Sequence, residues 1–82
     1  MNLVSLTETI IKKIVTDPES VSVKEFESEE ENVVQIEVLV STDDMGKVIG
    51  KNGKIINSIR TIVQASSSLE DNKKVKINID SY

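Results

Sequence analysis

The 82-residue sequence contains no cysteine, no histidine and no tryptophan. Those absences remove disulfide frameworks, the usual zinc ligand sets, thiol nucleophiles and the commonest general base. Phe26 and Tyr82 are the only aromatic residues, so stacking platforms of the kind many single-strand binders use are scarce. No apolar run approaches the length that spans a bilayer, and the N-terminus lacks a basic segment followed by an apolar one. A cytoplasmic protein without membrane contact is expected. A chain of this size closes one small core, read as a single domain over residues 1–82, but has no room for a buried catalytic cavity as well. Binding, not catalysis, is the chemistry left, and neither a cofactor, a metal nor a small-molecule substrate is expected.

Acidic residues are also missing from one place. The chain as a whole carries −4, which taken globally argues against a polyanionic partner. From Met45 to Leu69, however, there is no Asp or Glu, while Lys47, Lys51, Lys54 and Arg60 are present. Six basic residues then stand against fourteen acidic ones in the rest, so this segment is +4 and the remainder −8. Such segregation marks a local anion site on an otherwise repulsive surface; a solvated lysine face is the plainer alternative.

The three glycines, Gly46, Gly50 and Gly53, all lie in the same segment. Glycine lets backbone approach a ligand closely and take positive φ, so its confinement points to a loop whose backbone is meant to be used. Gly50-Lys51-Asn52-Gly53 sits between the apolar pairs Val48-Ile49 and Ile55-Ile56, and helical periodicity begins directly after it. A phosphate-binding P-loop does not fit. Gly46 to Gly50 is one residue too short, and Asn52 stands where the magnesium-binding hydroxyl would be.

Periodicity places the other elements. Leu3, Leu6, Ile10 and Ile14 recur at helical spacing, with Asn2 and Ser5 both suited to cap the start and Asp17-Pro18 to end it. Val21 and Val23 begin a short strand whose alternation slips at Phe26, where a bulge is expected. Glu25, Glu27, Glu29, Glu30 and Glu31 mark an exposed hairpin tip. Val34, Ile36, Val38 and Val40 form a second strand with one buried face. Asp43 and Asp44 read as acids at a helix N-terminus, and only remotely as a metal or acid/base pair. A short helix reaches Ile49, and a longer one carries Ile55, Ile56, Ile59, Ile62 and Val63, with fraying expected at Ser66-Ser67-Ser68. Glu70-Asp71-Asn72 makes a turn, and Val75, Ile77 and Ile79 a third strand.

The run Val48-Ile49-Gly50-Lys51-Asn52-Gly53-Lys54-Ile55-Ile56, within the order α-β-β-α-α-β, resembles the signature of a type II KH domain. From Leu3 to Asp80 the chain is similar to the small bacterial KH proteins of the KhpA group. The resemblance implies an α+β fold, a three-stranded sheet with helices packed on one face. It also implies single-stranded RNA in a groove between the loop and helices and a strand, and a role as RNA chaperone or post-transcriptional regulator. Pairing as a homodimer, or with a larger KH-containing RNA-binding protein, is implied as well. On that reading the RNA-binding set is Lys47, Val48, Ile49, Gly50, Lys51, Asn52, Gly53, Lys54, Ile56 and Arg60. Lys51, Asn52 and Gly53 would offer amides to a phosphate, and the lysines long-range attraction. Val48, Ile49 and Ile56 are either an apolar floor for bases or ordinary core, and Arg60 either a nucleotide contact or a surface arginine. A protein-interaction module with vestigial RNA affinity is the main rival.

Overall fold

The computed structural model describes residues 2–70 and 72–82. Helix α1 spans Leu3–Lys12, strand β1 Ser22–Phe26, strand β2 Val33–Val40, helix α2 Thr42–Ile49, helix α3 Lys54–Glu70 and strand β3 Lys74–Ser81. This is the element order that the resemblance implies. The sheet order is β1-β2-β3, with β1 antiparallel and β3 parallel to the central strand. A parallel neighbour requires a crossover, and α2 and α3 supply it.

Strand β2 alternates buried and half-buried residues along its length. Val34, Ile36, Val38 and Val40 face the helices, and with Leu3, Ile11, Val23, Val48, Ile56, Ile59, Val63 and Ile77 they form the core. The opposite face of the sheet carries Lys24, Gln35, Glu37 and Lys76. Phe26 also lies there, paired with Gln35 in unbroken register, so the expected bulge is absent. The slip in alternation places Phe26, half exposed, on the open face instead.

Asn2, not Ser5, caps α1: its Oδ1 accepts from the Val4 amide at 2.8 Å and the Ser5 amide at 3.4 Å. The helix ends at Lys12, several residues short of Pro18, which opens a single 3₁₀ turn at Pro18–Ser20. The reason lies far along the chain. Asp44 is fully buried, and its carboxylate accepts from the Thr16 amide (3.0 Å), the Thr16 hydroxyl (2.8 Å), the Asp17 amide (3.1 Å) and the Ser41 hydroxyl (3.0 Å). Amides committed to that carboxylate cannot continue a helical ladder. Asp44 is therefore a tie between the α1–β1 connection and the start of α2, rather than a solvated helix-end acid. The Thr16 amide foremost, with the other donors, holds its carboxyl at about 2 against the opposing effect of burial.

Helix α3 does not fray at its serines. Ser67 is buried and donates to the Lys73 carbonyl at 2.7 Å, and Ser68 accepts from Gln64 Nε2 at 3.2 Å. The chain leaves the helix through Asn72, at φ 53°, whose amide reaches the Ser67 carbonyl at 2.8 Å. Asp71, expected in this turn, lies outside the described residues.

The glycines of α2 differ in what they require. Gly46 sits mid-helix with nothing within 4 Å of where a Cβ would be, whereas Gly50 adopts φ 75° and its Cβ would lie 2.6 Å from Ile55 Cγ1. Gly46→Ala should therefore stabilise the fold by about 0.5–1 kcal/mol in denaturant titration, and Gly50→Ala should destabilise it by about 1–3 kcal/mol. For Asp44, the folded carboxyl titrates below its ordinary 3.8, so its contribution is whole above that value and is lost as pH falls from there towards about 2. Thermal melts should show Asp44→Asn less stable than wild type at pH 7 by on the order of 10 °C. That gap should narrow as acid protonates the wild-type carboxylate; a pH-independent gap would show that ionisation is irrelevant to the tie.

Candidate nucleic-acid interface

Helix α2 stops because Gly50 turns out of it, its amide still bonded to the Gly46 carbonyl at 2.9 Å. Residues Lys51–Gly53 form one 3₁₀ turn in which Asn52 takes φ 57° and Gly53 φ 75°. Two left-handed residues in succession suit Asn followed by Gly, the non-glycine residue that best tolerates that region and the one with no Cβ. Ile55, on the first turn of α3, packs over Gly50 at the distance that forbids a side chain there. The loop is thus braced at Gly50 by an aliphatic contact from the first turn of α3.

Within the turn, the Gly53 amide donates to the Gly50 carbonyl at 3.2 Å and the Lys54 amide to that of Lys51. The Gly53 amide is therefore committed to the shape of the loop, while Lys51 and Asn52 stand exposed at its crest. The N-terminus of α3 adds partial positive charge directly behind them. Lys47, Lys51 and Lys54 are all exposed around this turn.

The apolar candidates divide. Val48 and Ile56 are buried at 0% and 4% exposure and belong to the core, so they support the loop from below and present no surface of their own. Ile49 is half-buried against the core, and Ile55, which the sequence reading did not include in the site, is exposed. These two carry the apolar surface beside the loop.

Arg60 is exposed but engaged. Its Nε and Nη2 both donate to the Ile77 carbonyl on β3, at 3.3 and 3.1 Å, and its Nη1 to Asn57 Oδ1 at 3.1 Å. Four residues on, Gln64 accepts from the Val75 amide at 2.8 Å and donates to the Lys73 carbonyl at 3.0 Å. Asn57, Arg60, Gln64 and Ser67 thus form a polar stripe of α3 facing the outer edge of β3. Sequence reasoning passed over Asn57 and Gln64. Their signal was helical spacing, polar residues at i, i+3, i+7 and i+10 running beside the Ile56-Ile59-Val63 core stripe.

These contacts also fix direction. Ser67 meets Lys73, Gln64 meets Val75 and Arg60 meets Ile77, so α3 runs antiparallel to β3 and its loop end lies toward Ser81. The acidic hairpin between β1 and β2 is at the other end of the sheet, where Glu30 pairs with Lys76 at 3.8 Å. The loop and α2 therefore lie at the Ser81 end of β3, with α3 running along the strand's outer edge. No group of three or more carboxylates, histidines or cysteines suited to a metal occurs among the described residues.

Comparison with known proteins agrees with this fold. The solved structure of Era in complex with MgGDPNP and nucleotides 1506–1542 of 16S ribosomal RNA superposes with a TM-score of 0.72 at 17% identity. The match covers 96% of this chain and 29% of Era, and it establishes the shared fold. Among curated sequences, the RNA-binding protein KhpA of Clostridium perfringens is 46% identical over 74 residues, covering 90% of this chain and 95% of that protein. The RNA-binding protein KhpA of Oceanobacillus iheyensis is 41% identical over 75 residues, covering 92% and 96%. That of Thermotoga maritima is 38% identical over 74 residues, covering 90% and 93%. The family model described as KhpA/KhpB, KH domain, matches residues 4–79, and with its α+β type II KH fold the chain belongs to that family.

Proposed function

We propose that this protein binds single-stranded RNA in the groove between the Gly50–Gly53 loop and β3, without catalysis, as a single KH module. The observation that carries the reading is the coincidence at one place of a backbone crest, a helix N-terminus and a stretch of chain free of acidic residues. A phosphate seated on the Lys51 and Asn52 amides would meet Lys47 and Lys54 at longer range, and Ile49 and Ile55 would lie beneath the adjoining base. The curated relatives are named as RNA-binding proteins, and Era was solved with ribosomal RNA; both support the assignment. With Val48 and Ile56 acting from the core, the surface that touches RNA is Lys47, Ile49, Gly50, Lys51, Asn52, Gly53, Lys54, Ile55 and the exposed part of Arg60.

Such a module spans about four nucleotides and binds weakly. A second module makes the next contact intramolecular, so the proposal includes association with another copy or with a larger KH-containing RNA-binding protein. Ile62 and Leu69 remain exposed on α3 at seven-residue spacing from Ile55, a stripe suited to that association. A cytoplasmic RNA chaperone or post-transcriptional regulator is the cellular role this reading favours; no described helix is long and apolar enough to cross a membrane.

An amide-resolved NMR titration with short single-stranded RNA tests the assignment. Shifts should cluster from Gly46 to Ile56 and vanish in a folded Lys51→Asp/Asn52→Asp variant, which places negative charge at the phosphate position. Affinity should fall with salt at a log–log slope of about −1.4 to −2, as expected for two or three neutralised phosphates on a single strand. Absence of localised shifts at low salt would favour a protein-docking module instead.

A further inference from the structure

An edge strand presents a row of unpaired amides and carbonyls, and those of β3 line the groove proposed for RNA. Base edges carry amino and ring N–H groups that pair readily with backbone carbonyls, so the free or occupied state of each carbonyl bears on which bases the groove can tell apart. At three points along this edge, one just before β3 and two within it, the backbone is already occupied. Ser67 and Gln64 both donate to the Lys73 carbonyl, Gln64 accepts from the Val75 amide, and Arg60 donates twice to the Ile77 carbonyl. Three side chains of α3 stand where another strand would pair.

Arg60 occupies the position nearest the loop. A carbonyl oxygen has two lone pairs, and the paired Nε and Nη2 donors of a guanidinium fork take both. The fork is itself braced: Nη1 is held by Asn57 Oδ1, and Asn57 Nδ2 lies 3.6 Å from where a Cβ on Gly53 would sit, at the C-terminal end of the loop. Charge-assisted bonds held in place by the Asn57 brace resist displacement by a neutral amino group, which would replace two bonds to the carbonyl with one. The guanidinium keeps further N–H donors and its positive charge, so the same residue can attract phosphate while it covers the carbonyl.

We propose that Arg60 is a specificity-determining residue, one that keeps the Ile77 carbonyl filled in both free and RNA-bound protein and so denies base amino groups that one strand-side acceptor. The inference rests on the RNA-binding reading and adds to it: phosphate capture at the loop supplies affinity, and discrimination between bases at Ile77 is suppressed. Removing the fork uncovers the acceptor. It weakens phosphate attraction for every RNA alike, but it strengthens the preference for bases that bear an amino group.

The test compares penta-adenylate with the same pentamer built from purine ribonucleoside, which lacks the 6-amino group, on wild type and Arg60→Met. Homopolymers remove any question of register. Both ligands should bind the variant less tightly, while the ratio of their affinities should rise about two- to tenfold over wild type, the range one net hydrogen bond carries. As a second readout, the Arg60 Nε–H resonance of wild type should stay protected from water exchange when penta-adenylate is added. An unchanged ratio in a folded Arg60→Met overturns the proposal, and so does loss of that protection in the wild-type complex. Should the variant fail to fold, the wild-type resonance decides alone. Wild type that binds neither pentamer at low salt would sink the RNA reading, and this inference with it. Wild type that binds penta-adenylate while the ratio ignores Arg60 would sink this inference only.

Discussion

A single buried carboxylate sets the position of the short helix that leads into the glycine loop. Asp44 gathers donors from Thr16, Asp17 and Ser41, groups up to 28 positions away from it in the chain, and so joins the exit of α1 to the entry of α2. A buried charge is tolerable only when its lone pairs are filled, and here every oxygen is used. The consequence passes along α2. Because that helix is short, fixing its first turn fixes its last, and the last turn carries Gly50.

From Gly50 the constraint becomes steric. Ile55 lies against the glycine closely enough to exclude any side chain, and the left-handed Asn52 and Gly53 follow from the need to turn the chain into α3 within three residues. Polar fixing at one end of α2 and aliphatic fixing at the other leave the loop backbone preorganised. A preorganised cluster of amides binds an anion without ordering cost, which suits a domain with so few aromatic groups to the nucleic-acid binding proposed for it.

How much of this was legible in the sequence depended on whether the cause was local. Alternation in Val34-Ile36-Val38-Val40 and the helical spacing of Ile56, Ile59 and Val63 are short-range patterns, and the elements they announce are present. The glycine loop was legible for the same reason. Three readings failed where a distant partner decided. Helix α1 does not run on to Pro18 because Asp44 claims the Thr16 and Asp17 amides, Ser67 supports its helix because the Lys73 carbonyl lies opposite, and Phe26 faces outward because β1 keeps register with β2. The polar stripe on α3 acquires meaning only once β3 is known to be an edge strand parallel to β2, a property of topology and not of any window of residues.

The Asn52-Gly53 step has a further chemical consequence. Asparagine before glycine is prone to cyclise, because the unhindered glycine nitrogen can attack the side-chain amide and expel ammonia, and hydrolysis then leaves aspartate or its isomer. In the folded loop the backbone at Asn52 is fixed at φ 57° and the Gly53 N–H is engaged by the Gly50 carbonyl, so the nitrogen that would attack is restrained. Each local opening releases that restraint. Conformational stability of the turn is therefore also chemical lifetime, and an aged molecule would carry an added negative charge at the crest where the intact one offers only donors.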